Sequence, residues 1–164
     1  GEPDVGAVLA ALTALWWTGH TFAAAPGTDV SWGRAVAVEA VFTFALALVV
    51  LNSATARQTE KNSFYGLAIG FTITVAAFAG GSISGGAFNP AVGVGPMIID
   101  ATMGHGSFAN AWLYIVGPLA GGAIAALFSL AQNPEPEPGQ AIPGAPPGEE
   151  RVRAGEYTAA RPGA

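Results

Sequence analysis

The chain has 164 residues, a formal net charge of −5, 51% hydrophobic residues and only 10% charged ones. That poverty of charge excludes a basic nucleic-acid surface and an ordinary soluble exterior, for which about 25% charged residues is typical. With no cysteine there is no disulfide framework and no thiolate metal site, while 23 glycines point to helices packed closely in a membrane.

The chain opens Gly1-Glu2-Pro3-Asp4. No cationic stretch precedes an apolar one, so no signal peptide is read there, and the expectation is a chain that starts inside a longer protein. Residues 1–19 read as a partial transmembrane helix: 5–19 is apolar but short of the about 20 residues a span needs. Trp16 and Trp17 suit the membrane interface, where Trp is enriched. Residues 20–34, with Pro26, Gly27, Thr28, Asp29 and Ser31, read as an external loop. His20 has no carboxylate or second histidine near it in sequence, so a surface role outweighs metal ligation.

Residues 35–54 are nearly continuously apolar and predict a span, interrupted by Glu39. An ionisable group in a span is costly and is a functional-site hypothesis by default. Glu39 either reaches the headgroups or turns inward to accept from backbone amides, and the inward reading is preferred. Thr43 follows one turn later on the same face. Residues 55–63 form a polar connection, and Arg57 and Lys61 assign it to the cytoplasmic side. Residues 64–79 predict a second span, with Gly66 and Gly70 as a packing face and Ile73 and Ala77 sharing another.

Next comes a glycine-rich stretch, Ser82-Ile83-Ser84-Gly85-Gly86-Ala87-Phe88-Asn89-Pro90-Ala91. Irregular backbone at membrane depth is tolerated only where it is buried in protein or lines a wet cavity. The stretch therefore reads as a re-entrant loop. Asn89 is a strong N-cap and Pro90 suits the first helical position. A half-helix over 90–99 would run about 15 Å, half the hydrocarbon core, and place a partial positive charge of roughly +0.5 near the midplane. The carbonyls of Gly85 to Phe88 would be free to accept from a passing solute.

Residues 100–110, with Gly104, His105 and Gly106, read as a loop. Residues 108–131 predict a third span, with Trp112 and Tyr114 as interface aromatics, a kink at Gly117-Pro118, and close packing at Gly117, Gly121 and Gly122. Residues 132–164, rich in Pro, Gly and Glu, cannot bury a core and read as a disordered tail. Two full spans separate the cations at 55–63 from those of the tail, which puts both on one side.

The order of spans, with Glu39-x-x-x-Thr43, Leu67-Ala68-Ile69-Gly70, Gly85-Gly86-Ala87-Phe88-Asn89-Pro90-Ala91, and Trp112 with Val116-Gly117-Pro118, closely resembles the C-terminal half of the aquaporin or major intrinsic protein family. The resemblance covers about residues 5–130. It implies an all-α membrane protein: one inverted repeat, three spans plus a re-entrant half-helix over 35–131, of a six-helix bundle whose N-terminal half is missing. It implies a homotetramer in the cell membrane, passive passage of water or a small neutral solute, and no cofactor, metal or nucleic acid. Asn89, Pro90 and Ala91 would form the pore motif, with Gly85, Gly86 and Ala87 as pore carbonyls, Ile73 as a lining residue and Glu39 as loop support. Ala77, Gly86 and Val92 match three positions of the outer constriction. Water-selective members carry His where Ala77 stands, and an Arg is common where Val92 stands. A small, apolar throat without that cation implies passage of glycerol, urea or ammonia. A non-conducting structural membrane protein and a broken-helix secondary transporter are the alternatives; an enzyme is not expected.

Overall fold

A computed structural model describes residues 2–56, 59, 62–103 and 106–132, with no side-chain account of 2–4. The expectations for Arg57, Lys61, His105 and the tail beyond Gln132 lie outside the described residues.

Among the described residues five α-helices account for the fold, and there is no strand. They are α1 (Glu2–Thr18), α2 (Trp32–Val50), α3 (Tyr65–Ser84), α4 (Pro90–Thr102) and α5 (Ala111–Gln132). A π-helical turn, Leu51–Thr55, prolongs α2, and a 3-10 turn, Phe108–Asn110, leads into α5. Trp32–Thr55, Tyr65–Ser84 and Phe108–Gln132 comprise 24, 20 and 25 residues and are apolar enough to cross a membrane. At 1.5 Å per residue they reach roughly 30–38 Å, the thickness of a bilayer core or a little more. With these three helices the chain is a multi-pass membrane protein.

α2 lies at the centre, packed on α5 on one side and α3 on the other. α4 packs on α5 and on α1. Among the described helices the backbone of α3 comes close to neither α4 nor α5, and α3 meets α5 only through the Tyr114 hydroxyl at its last residue, Ser84, so α3 and α4 diverge from their shared turn. Small residues set these approaches. A Cβ on Gly117 would lie 2.7 Å from the Glu39 Cβ, and one on Gly121 would collide with the Ala40 carbonyl oxygen. On the other seam, a Cβ on Gly95 of α4 would sit 2.5 Å from the Ala7 Cβ of α1. Such contacts are how membrane helices gain dispersion energy without a hydrophobic drive between them.

Several expectations need correction. Among the described residues a Cβ on Gly66, Gly70 or Gly122 would meet nothing within 4 Å. Gly80 is the close-packing glycine of α3: a Cβ there would lie 2.9 Å from Val38, 3.1 Å from Phe42 and 3.0 Å from Phe88. That packing carries α3 to Ser84, five residues past the expected end, because tertiary contact overrides weak glycine propensity. Asp100, expected in a loop, lies in the last turns of α4, is 9% exposed, and accepts from the Thr21 hydroxyl. Tyr114, expected at the interface, is fully buried, whereas Trp112 is 45% exposed and stacks on Trp32 at 5.7 Å.

Candidate functional site: the turn between α3 and α4

α3 ends at Gly85, whose φ of +97° is followed by +68° at Gly86, a left-handed pair that side-chain-bearing residues rarely adopt. The Gly85 amide closes the helix onto the Gly81 carbonyl at 3.0 Å. Phe88 adopts φ +50° without the freedom of glycine, a conformation that costs about 1–3 kcal/mol. Three contacts with α2 offset that cost. The Phe88 amide donates to Glu39 Oε2 at 2.6 Å, its carbonyl accepts from Thr43 Oγ1 at 3.0 Å, and its ring meets Phe42 edge-on at 5.4 Å.

Glu39 has no exposed surface. Its Oε1 accepts from Ser84 Oγ at 2.6 Å and from the Ala87 amide at 3.1 Å, and Oε2 takes the Phe88 amide. Ser84 Oγ in turn accepts from the Gly86 amide at 3.1 Å. A buried carboxylate is costly unless its lone pairs are met, and three donors meet them here. The amides of Ala87 and Phe88 are thus tied to α2, and that of Gly86 to the last residue of α3. Among the described residues nothing donates to the carbonyls of Gly85, Gly86 or Ala87. The turn thus treats its polar groups differently: its amides are tied to the protein, and these three carbonyls have no donor among the described residues.

At Asn89 the chain is extended, φ −158° and ψ 127°, and its Oδ1 accepts from the Ala91 amide at 2.9 Å. That cap, with Pro90 in the first position, starts α4. The side-chain NH2 of Asn89 has no acceptor among the described residues, and the residue is exposed. α4 runs to Thr102, three residues beyond the expected 90–99, so its positive end lies at the turn.

The remaining candidates fall around this turn. Ile73 and Ala77 are exposed on α3, and Gly81 continues their i, i+4 stripe. A Cβ on Gly86 would lie 3.0 Å from the Gly81 Cα, so Gly86 caps that stripe. Pro90 and Ala91 are half-buried, and Val92 is 52% exposed in the first turn of α4. No described contact joins Val92 to Ile73 or Ala77, since α3 and α4 do not touch. Among the described residues no group of three His, Cys, Asp or Glu could hold a metal ion.

Sequence reasoning missed Ser84, Tyr114 and the strap formed by residues 20–31. The Tyr114 hydroxyl donates to the Ser84 carbonyl. The strap crosses over the turn: the Gly27 amide donates to the Ile83 carbonyl at 3.0 Å, and a Cβ on Gly85 would come within 2.9 Å of both the N and O of Ala25. Ala87, Met97, Leu113 and Tyr114 form a core with Ala35, against which Ala23, Ala24 and Val30 pack. The Ser-Gly-Gly run hinted at Ser84 as a helix terminator, but nothing in the sequence singled out Tyr114 among the aromatic residues.

Residues 4–129 match the family model of the major intrinsic proteins. Aquaporin TIP1-2 of Musa acuminata is 39% identical over 126 residues, covering 75% of this chain and 48% of the relative. Probable aquaporin AqpM of Archaeoglobus fulgidus is 33% identical over 129 residues, 74% of this chain and 52% of the relative. Aquaporin-4 of Mus musculus is 32% identical over 106 residues, 64% of this chain and 31% of the relative. The chain spans about half the length of the curated relatives it matches.

Proposed function

The chain belongs to the major intrinsic protein family, and on that premise we propose that it supplies one half of the wall of a passive channel for water and small neutral solutes such as glycerol, urea and ammonia. The observation that carries this reading is the polar separation of the α3–α4 turn. Carbonyls 85–87 offer acceptors with no protein donor, and the Asn89 NH2 offers a donor with no protein acceptor. A water or polyol crossing the lipid exchanges its hydration for such groups one at a time. The same arrangement disfavours cations, because the positive end of α4 faces the point where carbonyls give way to the Asn89 donor.

Ile73, Ala77, Gly86 and Val92 line the conduit in this reading, the last three as its constriction. None offers a charge or a strong donor, so the throat selects by size and by the carbonyl row. Glu39 keeps the amides of the turn out of the conduit. The gap between α3 and α4 receives the other half of the wall, and four such channels assemble in the cell membrane. Residues 55–63 and the tail lie on the cytoplasmic side. This is transport down a gradient and requires no catalytic residue.

The test is stopped-flow light scattering of liposomes carrying the protein expressed from its full reading frame, challenged in turn with an impermeant osmolyte, glycerol and urea. Rapid water flux followed by re-swelling in glycerol or urea is expected. Water flux with both solutes excluded overturns the solute assignment. No flux of any kind favours a structural role on the same scaffold, and saturable, ion-coupled uptake favours a transporter.

A further inference from the structure

We propose that the hydroxyls of Thr43 and Tyr114 are positioning groups that set the length of the acceptor row at three carbonyls, by occupying the Phe88 carbonyl at one end and the Ser84 carbonyl at the other. This rests on the channel reading above. Five successive carbonyls, from Ser84 to Phe88, lie in or beside the turn. The two outer ones are taken by side chains from different helices: Thr43 Oγ1 of α2 donates to Phe88 O at 3.0 Å, and the Tyr114 hydroxyl of α5 donates to Ser84 O. The three between them accept nothing from the described residues.

One outer peptide unit is also held by its amide: the Ser84–Gly85 unit donates through Gly85 N to the Gly81 carbonyl at 3.0 Å. Beside the other, the Phe88 amide, which shares its peptide unit with the Ala87 carbonyl, is fixed by Glu39 Oε2. Tyr114 has no exposed surface and no room to move: a Cβ on Gly93 would collide with its Cβ, and one on Gly85 would lie 2.6 Å from its hydroxyl. It therefore braces the end of α3 and the first turn of α4 from one side chain. A carbonyl fixed by a protein hydroxyl offers the solute at most its second lone pair, in a direction the protein has chosen.

The sequence permits a direct test. Within these 164 residues Phe88-Asn89 is the sole Phe-Asn pair and Ser84-Gly85 the sole Ser-Gly pair. Labelling Phe at the carbonyl carbon and Asn at the amide nitrogen, or Ser and Gly likewise, isolates each outer carbonyl in solid-state NMR of the protein in bilayers. Thr43→Val is expected to move the Phe88 carbonyl resonance upfield and leave Ser84 in place. Tyr114→Phe is expected to do the converse, and Thr43→Ser to restore the wild-type position. In liposomes, each hydroxyl-lacking variant is expected to change the urea-to-water permeability ratio by about two- to tenfold, the scale of one hydrogen bond. Thr43→Ser is expected to keep the wild-type ratio, which a variant damaged only in folding would not do.

An unmoved resonance in Thr43→Val and in Tyr114→Phe overturns the assignment of the hydroxyls. Moved resonances with an unchanged ratio, in a protein that conducts, overturn the three-carbonyl row while leaving the channel intact. A wild-type protein that conducts nothing overturns the channel reading and the row with it, whereas the resonances still report whether the two hydroxyls hold their carbonyls.

Discussion

Two of the turns between helices, α3–α4 and α2–α3, solve opposite problems. At the α3–α4 turn the partners come from far along the chain: Glu39 and Thr43 lie 45 to 49 residues from the groups they bind. At the α2–α3 connection most partners are neighbours. Ser53 and Thr55 hydroxyls donate to the carbonyls four residues back, at 2.6 and 2.7 Å. Asn62 donates to the Ser53 and Thr59 carbonyls and accepts from the amides of Phe64 and Tyr65, at the entry to α3, at 3.0 and 2.9 Å. One tie is distant, Asn52 Nδ2 to Gln132 Oε1 at 3.1 Å. A reversal surrounded by helices cannot call on water for its amides, so it imports a carboxylate; one at the end of the bundle manages with short polar side chains.

The contrast can be broken most sharply at Glu39. Glu39→Ala leaves two amides bare and the Ser84 hydroxyl with only its long bond to the Gly80 carbonyl at 3.4 Å, and each buried donor without a partner costs about 1–3 kcal/mol. A loss of at least about 3 kcal/mol in denaturant unfolding in micelles is expected, together with loss of flux. A cost no greater than that of Asn62→Ala would erase the distinction between the reversals. Gly93→Ala drives a methyl group into Tyr114 and is expected to cost about 1–3 kcal/mol, read by the same unfolding. At the other reversal, Asn62→Ala removes the acceptor of two amides at the entry to α3 and is expected to cost about 1 kcal/mol. Thr55→Ala removes only an exposed bond to a helix carbonyl and is expected to stay within about 0.5 kcal/mol in that measurement.

The same contrast explains what could be read from the amino acids. The three long helices follow from unbroken apolar runs, and the start of α4 from Asn89-Pro90, because both signals are local. Glu39 stood out because a charge in an apolar run is conspicuous. Tyr114 did not, since an aromatic residue at the start of a span has the same composition whether it faces lipid or fills a core. Only its approach to Gly93 and to the Ser84 carbonyl decides which, and those residues are 21 and 30 positions away. The glycines mislead for the same reason. Gly66 and Gly70 carry the sequence pattern of a packing face, yet it is Gly80 that meets α2 within the chain. Spacing announces that small residues share a face, not which neighbour arrives there.

α1 has α4 as its one helix partner among the described elements, and α4 is bracketed by α1 and α5. Residues near the beginning of the sequence therefore wait, during synthesis, for a segment some eighty positions later before they find their neighbour within this chain. Contacts of such long sequence separation form late and slow a folding reaction. The short helix that starts at Asn89 is thus a rendezvous rather than a foundation: it can settle only when α1 and α5 are both in place.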